Sequence, residues 1–365
     1  MIISRTPYRI SFFGGGTDYP AWYREHGGKV ISTTIDKYGY IFCRQLPPFF
    51  EHRSRIVYSN IELVTNHEEI RHPSVRACLA YLSVNQGVEI HYDGDLPART
   101  GIGSSSTFTV GLLNALHMLQ GCAVTKVQLA QEAIHVEQTL LQEHVGSQDQ
   151  VAAAYGGFNR VEFFPDGGID VRPVQASAER VAELEAHLLL VFTGFVRNAS
   201  HIAASQVDVT PLKVRELREM GEMVDAALEI VTGRGDLTDI GRLLHEAWQL
   251  KRSLTSQVST TVIDMIYEAA RSAGATGGKL LGAGGGGFCL LFVSPERRQQ
   301  VIDRLGGLMA VPFKFEAAGS SIVMHDGTSL GGQSTAPGAA REGGLILSGA
   351  DPVSHVLPAT ADSIS

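Results

Sequence analysis

Short stretches in the first hundred residues alternate apolar and polar side chains, which is the pattern of half-buried β-strands. Glycine and proline residues separate these stretches and predict turns. The predicted strands cover residues 9–13, 30–35, 40–43, 56–58 and 88–92. We therefore expect the early part of the chain to form a sheet.

Helical periodicity begins after this region. An apolar run covers residues 108–119 and predicts one helix. Thr125 and Gln128 have the spacing of a capping box and predict the start of the next helix. Glu137 lies on an apolar row of that second helix. Further helices are predicted over residues 211–231, 237–251 and 262–273, and further strands over residues 188–192, 288–293 and 321–325. This interleaving of helices and strands predicts an α+β fold.

Composition and charge narrow the class of protein. The chain has 365 residues, of which 44% are hydrophobic, and this is enough for a large core. Its 38 acidic residues exceed its 30 Lys and Arg residues, and the resulting net charge of −8 disfavours a nucleic-acid partner. No apolar run is long enough to span a membrane, and the first residues lack the features of a signal peptide. We therefore expect a cytoplasmic protein without a membrane partner.

The cysteines point to neither a disulfide framework nor a zinc site. The four residues lie far apart and form no CxxC pair: Cys43, Cys78, Cys122 and Cys289. We expect reduced thiols that are mostly buried.

The end of the chain has a different composition. Residues 331–365 are rich in Gly, Ala, Ser, Pro and Thr and contain no aromatic residue. Such a segment cannot bury enough apolar surface to fold, so we predict a disordered tail.

Many of the 40 glycines fall in three clusters. One of them leads into the predicted helix that contains residues 108–119. It consists of Gly101, Ile102, Gly103, Ser104, Ser105 and Ser106. Free backbone N–H groups and the helix dipole at such a place attract anions, and serine hydroxyls there can bond phosphate oxygens or reach Mg²⁺. A simple helix cap is the alternative interpretation.

Another cluster contains a GxGxxG pattern at Gly282, Gly284 and Gly287. A dinucleotide-binding fingerprint follows a strand and opens a helix, whereas these glycines precede the predicted strand 288–293. Lys279 does not complete a P-loop either, because Leu280 stands where Ser or Thr is required. The cluster indicates a tight turn or the close approach of a ligand or another loop.

Three carboxylates are candidates for the chemistry. Glu137 lies on an apolar row, where a buried carboxylate needs a partner, and Asp149 opens an apolar run, where it can also be a helix N-cap. Asp18 follows the glycines of the first cluster. A carboxylate there can accept hydrogen bonds from sugar hydroxyls or form an Asx-turn.

Taken in order, the three clusters resemble the signature motifs of the GHMP small-molecule kinases, over residues 6–19, 96–107 and 277–288. Gly15 and Gly16 stand where galactokinases carry Glu-His, which resembles the branch of D-glycero-D-manno-heptose 7-phosphate kinases. The resemblance implies two lobes, over residues 1–185 and 186–330, with the active site in the cleft between them.

The resemblance also implies roles for the candidate residues. Residues 101–106 would bind the phosphates of ATP, and Ser105 and Glu137 would ligate Mg²⁺. Asp149 would be the base that takes the proton of the sugar hydroxyl, and Arg9 would steady the transferred phosphoryl group.

The implied substrate is a sugar phosphate. The residues expected to contact it are Asp18, Gly15, Gly16, Thr17, Gly284 and Gly285. Its own phosphate requires cations, for which the candidates are Arg197, Lys251, Lys29 and Arg24. The implied reaction converts the heptose 7-phosphate into the 1,7-bisphosphate, an early step toward an activated heptose for capsule or lipopolysaccharide. A homodimer is possible.

Three other functions remain open. The chain can be another anomeric sugar kinase of the same superfamily, either similar to fucokinase or acting on an unphosphorylated heptose or hexose. It can also be a sugar sensor of the same fold that binds without catalysis. An NAD-dependent dehydrogenase is disfavoured by the misplaced GxGxxG pattern.

Overall fold

Thirteen strands and eleven α-helices build the described part of the chain, which is residues 1–196 and 199–326 of the computed structural model. This confirms the α+β class. The strands are β1 Ile2–Phe13, β2 Gly28–Gln45, β3 Ser54–Val57, β4 Ile61–Val64, β5 Val88–Gly94, β6 Phe158–Phe163, β7 Ile169–Pro173, β8 Leu188–Phe192, β9 Ala275–Leu280, β10 Phe288–Val293, β11 Ala310–Val311, β12 Phe315–Glu316 and β13 Ser321–His325. The helices are α1 Pro20–His26, α2 Pro73–Tyr81, α3 Ser104–Leu119, α4 Lys126–Ile134, α5 Gln148–Tyr155, α6 Ala178–His187, α7 Ala199–Val209, α8 Val214–Glu229, α9 Asp239–Leu254, α10 Thr261–Ser272 and α11 Arg298–Arg304.

The strands form two sheets. Nine strands build the larger one, in the order β13-β1-β2-β5-β3-β4, with β12 and β6 also paired to β2 and β7 paired to β6. The smaller sheet has the order β11-β8-β10-β9. The predicted strands 188–192, 288–293 and 321–325 are confirmed with the same bounds.

The long strand β2 replaces two predicted strands, 30–35 and 40–43. It stays continuous because β1 pairs with it along nearly its whole length, while β6 pairs with its first part and β5 with its last part. Of the residues between the two predicted strands, Tyr38 and Gly39 pair with Pro7 and Thr6 of β1, and the Asp36 amide donates to the Lys314 carbonyl at 2.9 Å. The strand therefore continues across a register shift in its pairing with β1.

The helix predicted over residues 211–231 begins later than expected. Residues Thr210–Leu212 form a short 3₁₀ turn, and Lys213 has non-helical dihedral angles, so α8 starts only at Val214. Helix α8 ends at Glu229 and continues as a π-helical turn.

Helix α3 lies against β1 and β2 and is buried on nearly all sides, as expected for a helix inside the core. It starts at the glycine and serine loop that follows β5, so the core fixes the position of that loop.

The predicted lobe boundary at residue 185 falls inside α6, just before β8 opens the smaller sheet. Strands β12 and β13, from the second predicted lobe, return to the larger sheet. The exact boundary stays a prediction, and the predicted tail 331–365 lies outside the described residues.

All four cysteines are free; Cys122 is exposed and the other three are buried. Among the described residues, no helix is long and apolar enough to cross a membrane.

Candidate active site

A cavity of about 810 Å³ is lined by residues from both predicted lobes. The first lobe contributes β1, the loop before α3 and the start of α5, and the second contributes α7, α9 and β9. Two sets of lining side chains stand out. The charged group consists of Arg9, Asp18, Asp149, Lys251 and Lys279, and the aromatic group consists of Tyr58, His72, Tyr92 and Phe108.

The loop before α3 has the form of an anion site. Gly103 is the N-cap of α3 in a left-handed conformation with φ of 76°, and no side chain caps the first amides of the helix. Such free amides attract anions. Strand β1 fixes the loop, because the Arg9 amide donates to the Ile102 carbonyl at 3.0 Å and Arg9 Nη1 donates to the Gly101 carbonyl at 2.8 Å.

The three serines of this loop have different surroundings. Ser104 Oγ accepts a hydrogen bond from the Arg99 amide at 3.0 Å, and Ser105 is exposed in the lining of the cavity. Ser106 is buried and donates to Glu137 Oε2 at 2.7 Å. The resemblance implies that Ser105 and Glu137 together ligate Mg²⁺, and this stays a prediction. In the structure it is Ser106 that contacts this carboxylate, because Ser106 faces the interior.

Glu137 lies on the π-helical segment His135–Leu140 that continues α4, and not on the α-helical row that the periodicity predicted. Such turns occur often at functional sites. The carboxylate is completely buried and also accepts a hydrogen bond from Gln150 Nε2, while its Oε1 has no partner among the described residues. Burial raises the pKa of Glu137 to about 7.

These contacts bear on whether a magnesium ion fits. The described residues contain no group of three or more His, Cys, Asp or Glu side chains placed to hold a metal. In phosphoryl-transfer sites, however, Mg²⁺ is held by one or two carboxylates together with the phosphates of the substrate. The unpartnered Oε1 of Glu137, directly behind the serine loop, fits that arrangement.

Arg9 and Asp149 form a bidentate ion pair. Arg9 Nε and Nη2 donate to the two carboxylate oxygens of Asp149 at 2.7 and 2.9 Å. The arginine is buried, and the Asp149 side chain keeps 25% of its surface exposed to the cavity. Asp149 is the second residue of α5, whose N-cap is Ser147, so the interpretation of Asp149 as a cap is wrong. The carboxylate is therefore fixed beside the loop and open to a ligand.

Asp18 lies next to this pair and is almost completely buried. Its Oδ1 accepts a hydrogen bond from the Gly16 amide at 2.9 Å. This amide precedes Asp18, so the alternative Asx-turn is not formed. A β-carbon built on Gly146 would lie 1.9 Å from Asp18 Oδ2, which shows how closely the backbone encloses the carboxylate. Burial and the neighbouring Asp149 raise the pKa of Asp18.

The other residues of the first glycine cluster differ in whether they line the cavity. Gly15 and Gly16 line the cavity, and their contact with the substrate stays a prediction. Thr17 is buried, and its hydroxyl donates to the Gly14 carbonyl at 2.8 Å and accepts from the Lys29 amide at 3.1 Å. In this structure Thr17 holds the loop and does not border the cavity.

The glycine loop between β9 and β10 packs against the loop before α3. A β-carbon on Gly282 would lie 2.4 Å from the Gly101 Cα, so the two backbones touch. Gly284 and Gly285, predicted to contact the substrate, pack instead against Val258, whose carbonyl accepts from the Gly285 amide at 2.9 Å. Because this loop joins two antiparallel strands, the structure agrees with the rejection of a dinucleotide-binding fingerprint.

The cations expected to bind the phosphate of the sugar differ in whether they line the cavity. Lys251 lines the cavity, whereas Lys29 pairs with Asp225 and Arg24 lies over the ring of Tyr23. Neither of those two borders the cavity. Arg197 lies outside the described residues.

Sequence reasoning missed Lys279, which lines the cavity from β9. The sequence pattern around Lys279 indicates only an incomplete P-loop and predicts no strand over residues 275–280. The available signal is the apolar strand β10, which follows the glycine loop. A tight loop before a strand indicates an antiparallel partner on its other side, and residues 275–280 form that partner.

The aromatic group was missed as well. The His72 ring stacks on Phe108 with centroids 4.6 Å apart, and the edges of Tyr58 and Tyr92 complete the cluster. These residues come from four separate places in the chain, so no local pattern marks them.

The N-terminal domain of GHMP kinases matches residues 71–157, and the C-terminal domain of GHMP kinases matches residues 223–310. The two matches include the serine loop and Asp149 on one side and Lys251 and Lys279 on the other. The chain belongs to the GHMP kinases and is an ATP-dependent phosphotransferase.

Particular relatives refine the comparison. The chain is 28% identical over 320 residues to the D-glycero-alpha-D-manno-heptose 7-phosphate kinase of Campylobacter jejuni, covering 83% of this chain and 93% of the relative. It is 26% identical over 329 residues to the bifunctional fucokinase/GDP-fucose pyrophosphorylase of Arabidopsis thaliana, covering 82% of this chain but only 30% of that enzyme. The structure of a D-glycero-D-manno-heptose 1-phosphate kinase from Bacteroides thetaiotaomicron superposes with a TM-score of 0.73 at 23% identity, covering 89% of this chain and all of the other. The similarity to this Bacteroides structure shows the shared fold alone.

Proposed function

We propose that this protein is a sugar kinase that transfers the γ-phosphoryl group of ATP to the anomeric 1-hydroxyl of D-glycero-α-D-manno-heptose 7-phosphate. The observation that carries the proposal is the Arg9–Asp149 pair beside the N-terminus of α3, because it fixes a carboxylate where an acceptor hydroxyl would meet a bound phosphate. The name of the Campylobacter jejuni relative supports the choice of sugar.

The lining of the cavity supports the placement of ATP. The aromatic group offers flat rings on which a nucleobase stacks, and the free amides at the start of α3 attract the phosphates. ATP bound in this way would direct its γ-phosphate toward the charged group. Ser105, exposed at the first turn of α3, is placed to bond a phosphate oxygen.

Glu137 and the serine loop would hold Mg²⁺, through the free Oε1 of Glu137 and the hydroxyl of Ser105 or Ser106. A magnesium ion held there would supply positive charge that neutralises part of the charge of the ATP phosphates. Glu137 must be ionised for this task, and its raised pKa makes the ionised form sensitive to pH near neutrality.

Asp149 is assigned the role of base. Arg9 occupies one lone-pair site on each of its oxygens, and an ionised carboxylate has about four such sites, so the others remain free to accept a proton. The sugar oxygen bonds to the γ-phosphorus, the bond from that phosphorus to the bridging oxygen breaks, and ADP leaves while Asp149 takes the hydroxyl proton. Asp18, with Gly15 and Gly16, would orient the sugar ring through its hydroxyls.

Release of ADP from Mg-ATP tests the proposal, with heptose 7-phosphate, free heptose, mannose, fucose and galactose as acceptors. The phosphorylated position is identified by ³¹P and ¹H NMR. We expect selective turnover of heptose 7-phosphate, with the new phosphate on C1. A protein that turns over ATP with none of these sugars is not the proposed kinase.

A second candidate is a kinase for fucose or another unphosphorylated sugar, which is favoured by the similarity to the Arabidopsis fucokinase. It predicts turnover of fucose or free heptose and none of heptose 7-phosphate. Sugar binding without ADP release would identify a sensor instead.

A further inference from the structure

Lys251 and Lys279 lie buried in the cavity wall, and neither forms an ion pair with a carboxylate in the part of the chain that the structure describes. Their exposed fractions are only 6% and 5%. A buried ammonium group without a counter-charge is unfavourable, so an anionic ligand that supplies the charge would stabilise both side chains in their charged form.

Backbone carbonyls hold the two ammonium groups in place. Lys279 Nζ donates to the Phe12 carbonyl at 2.9 Å, and Lys251 Nζ donates to the carbonyls of Leu280 and Gly282. An ammonium group has three donors, so each lysine keeps at least one for a ligand.

The charges around the pair favour an anion. In the described part of the chain, the charged side chains that act on Lys251 are Arg9, Asp18 and Asp149, and Arg9 is already engaged by Asp149 and the Gly101 carbonyl. Burial, with the like charge of Arg9, lowers the pKa of Lys251 to about 8 and also lowers that of Lys279. A bound phosphate would reverse this effect by restoring a counter-charge.

Two further polar atoms in the same wall lack partners. Ser11 Oγ and Gln148 Oε1 are buried without a hydrogen bond among the described residues, and both side chains line the cavity. Buried polar atoms in native proteins are nearly always bonded, so these two atoms point to a polar ligand such as a sugar.

We propose that Lys279, together with Lys251, binds the phosphate group that the sugar acceptor already carries, and that this pair makes the enzyme select a sugar phosphate over the free sugar. The inference rests on the proposed kinase function and adds to it the residues that set acceptor specificity.

The position of Lys279 favours the phosphate of the acceptor over the γ-phosphate of ATP. Its carbonyl partner, Phe12, lies in β1 three residues beyond Arg9. Phe12 also precedes the loop that carries Gly15, Gly16 and Asp18, the expected sugar contacts. The phosphates of ATP are instead assigned to the start of α3.

The test compares heptose 7-phosphate with free heptose as acceptors for the wild type, Lys279→Met, Lys251→Met and Lys279→Arg. Loss of one charged contact in Lys279→Met is expected to raise KM for heptose 7-phosphate by about 10-fold to 100-fold, with kcat/KM for free heptose and KM for ATP changed by less than about twofold. Lys279→Arg, which keeps the charge, recovers part of the affinity. Lys314→Met, at a lysine that is 70% exposed and paired with Glu185, is the control and leaves both acceptors unaffected.

Equal losses of kcat/KM for heptose 7-phosphate and for free heptose, together with a raised KM for ATP, would overturn the proposal. The lysines would then bind the γ-phosphate of ATP. Unchanged kinetics would overturn it as well. Calorimetric titration of heptose 7-phosphate and inorganic phosphate into the protein without ATP separates this inference from the proposed reaction. Binding that weakens in Lys279→Met supports the anion site even if turnover fails, and equal binding by wild type and variant refutes it. Thermal unfolding confirms that Lys279→Met is folded.

Discussion

Gly282 packs so tightly on Gly101 that a β-carbon on the former would lie 2.4 Å from the Cα of the latter. The Phe288 amide strengthens this contact by donating to the Thr100 carbonyl at 3.0 Å. The loop before α3 and the loop between β9 and β10 therefore hold each other, although about 180 residues separate them in the chain. An anion site at α3 depends on both predicted lobes.

Gly282→Ala tests this dependence. The added methyl group meets backbone, which cannot move aside as a flexible side chain can, so the loop before α3 must shift. We expect KM for ATP to rise by about 10-fold and the melting temperature to fall by several degrees. Gly121→Ala is the matched control, because Gly121 has a similar φ of 78° but nothing within 4 Å of a new β-carbon. Equal effects of the two substitutions would show that backbone strain alone, and not the contact between the loops, is responsible.

Gly146→Ala addresses the sugar side of the site. Its β-carbon would lie 1.9 Å from Asp18 Oδ2 and must displace that carboxylate. If Asp18 binds sugar hydroxyls, KM for the sugar rises by about 10-fold or more while KM for ATP changes by less than about twofold. Gly221→Ala in α8 is the control, because its β-carbon meets Thr17 at an ordinary 3.7 Å. A rise in KM for ATP alone would contradict the placement of Asp18.

Asp149→Asn tests the base. The amide keeps the size of the side chain and one acceptor oxygen for Arg9 but cannot take a proton from the sugar hydroxyl, so kcat should fall by about 10²-fold or more. Asp225→Asn removes the partner of another cation, Lys29, at a site that is 52% exposed, and should leave kcat unaffected. A fully active Asp149→Asn enzyme would refute the assignment.

The sequence predicts those parts of the site that are contiguous in the chain. The loop at Gly103, the strand β10 and the N-cap at Thr125 all occur where the pattern indicates. What the pattern misses is set by packing between distant segments. Lys279 is one example, since its ammonium group meets the Phe12 carbonyl only after two sheets have formed.

The sequence also does not show which of two neighbouring serines bonds Glu137. Ser105 and Ser106 are chemically equal in the sequence, and which of them bonds Glu137 depends on the side of α3 that faces the π-helical turn. Periodicity predicted an α-helix there and therefore gave Glu137 a different direction.

Glu137 gives a prediction whose sign depends on pH. Its pKa is about 7 in the folded protein, above the ordinary value of about 4.5, so the folded state holds the proton more tightly. This contribution to stability is complete below the ordinary pKa and is lost as the pH rises through about 7. The raised pKa corresponds to about 3 kcal/mol.

Glu137→Gln stays neutral at every pH and can keep a hydrogen bond to Ser106. We expect the variant to melt at a higher temperature than the wild type at pH 8, with the difference shrinking toward zero near pH 4.5, and to lose most Mg²⁺-dependent activity. Thermal unfolding across this pH range is the measurement, with Glu25→Gln, at a side chain that is 78% exposed, as the control. A difference in melting temperature that stays constant between pH 4.5 and 8 would show that the buried carboxyl of Glu137 is not the group that titrates.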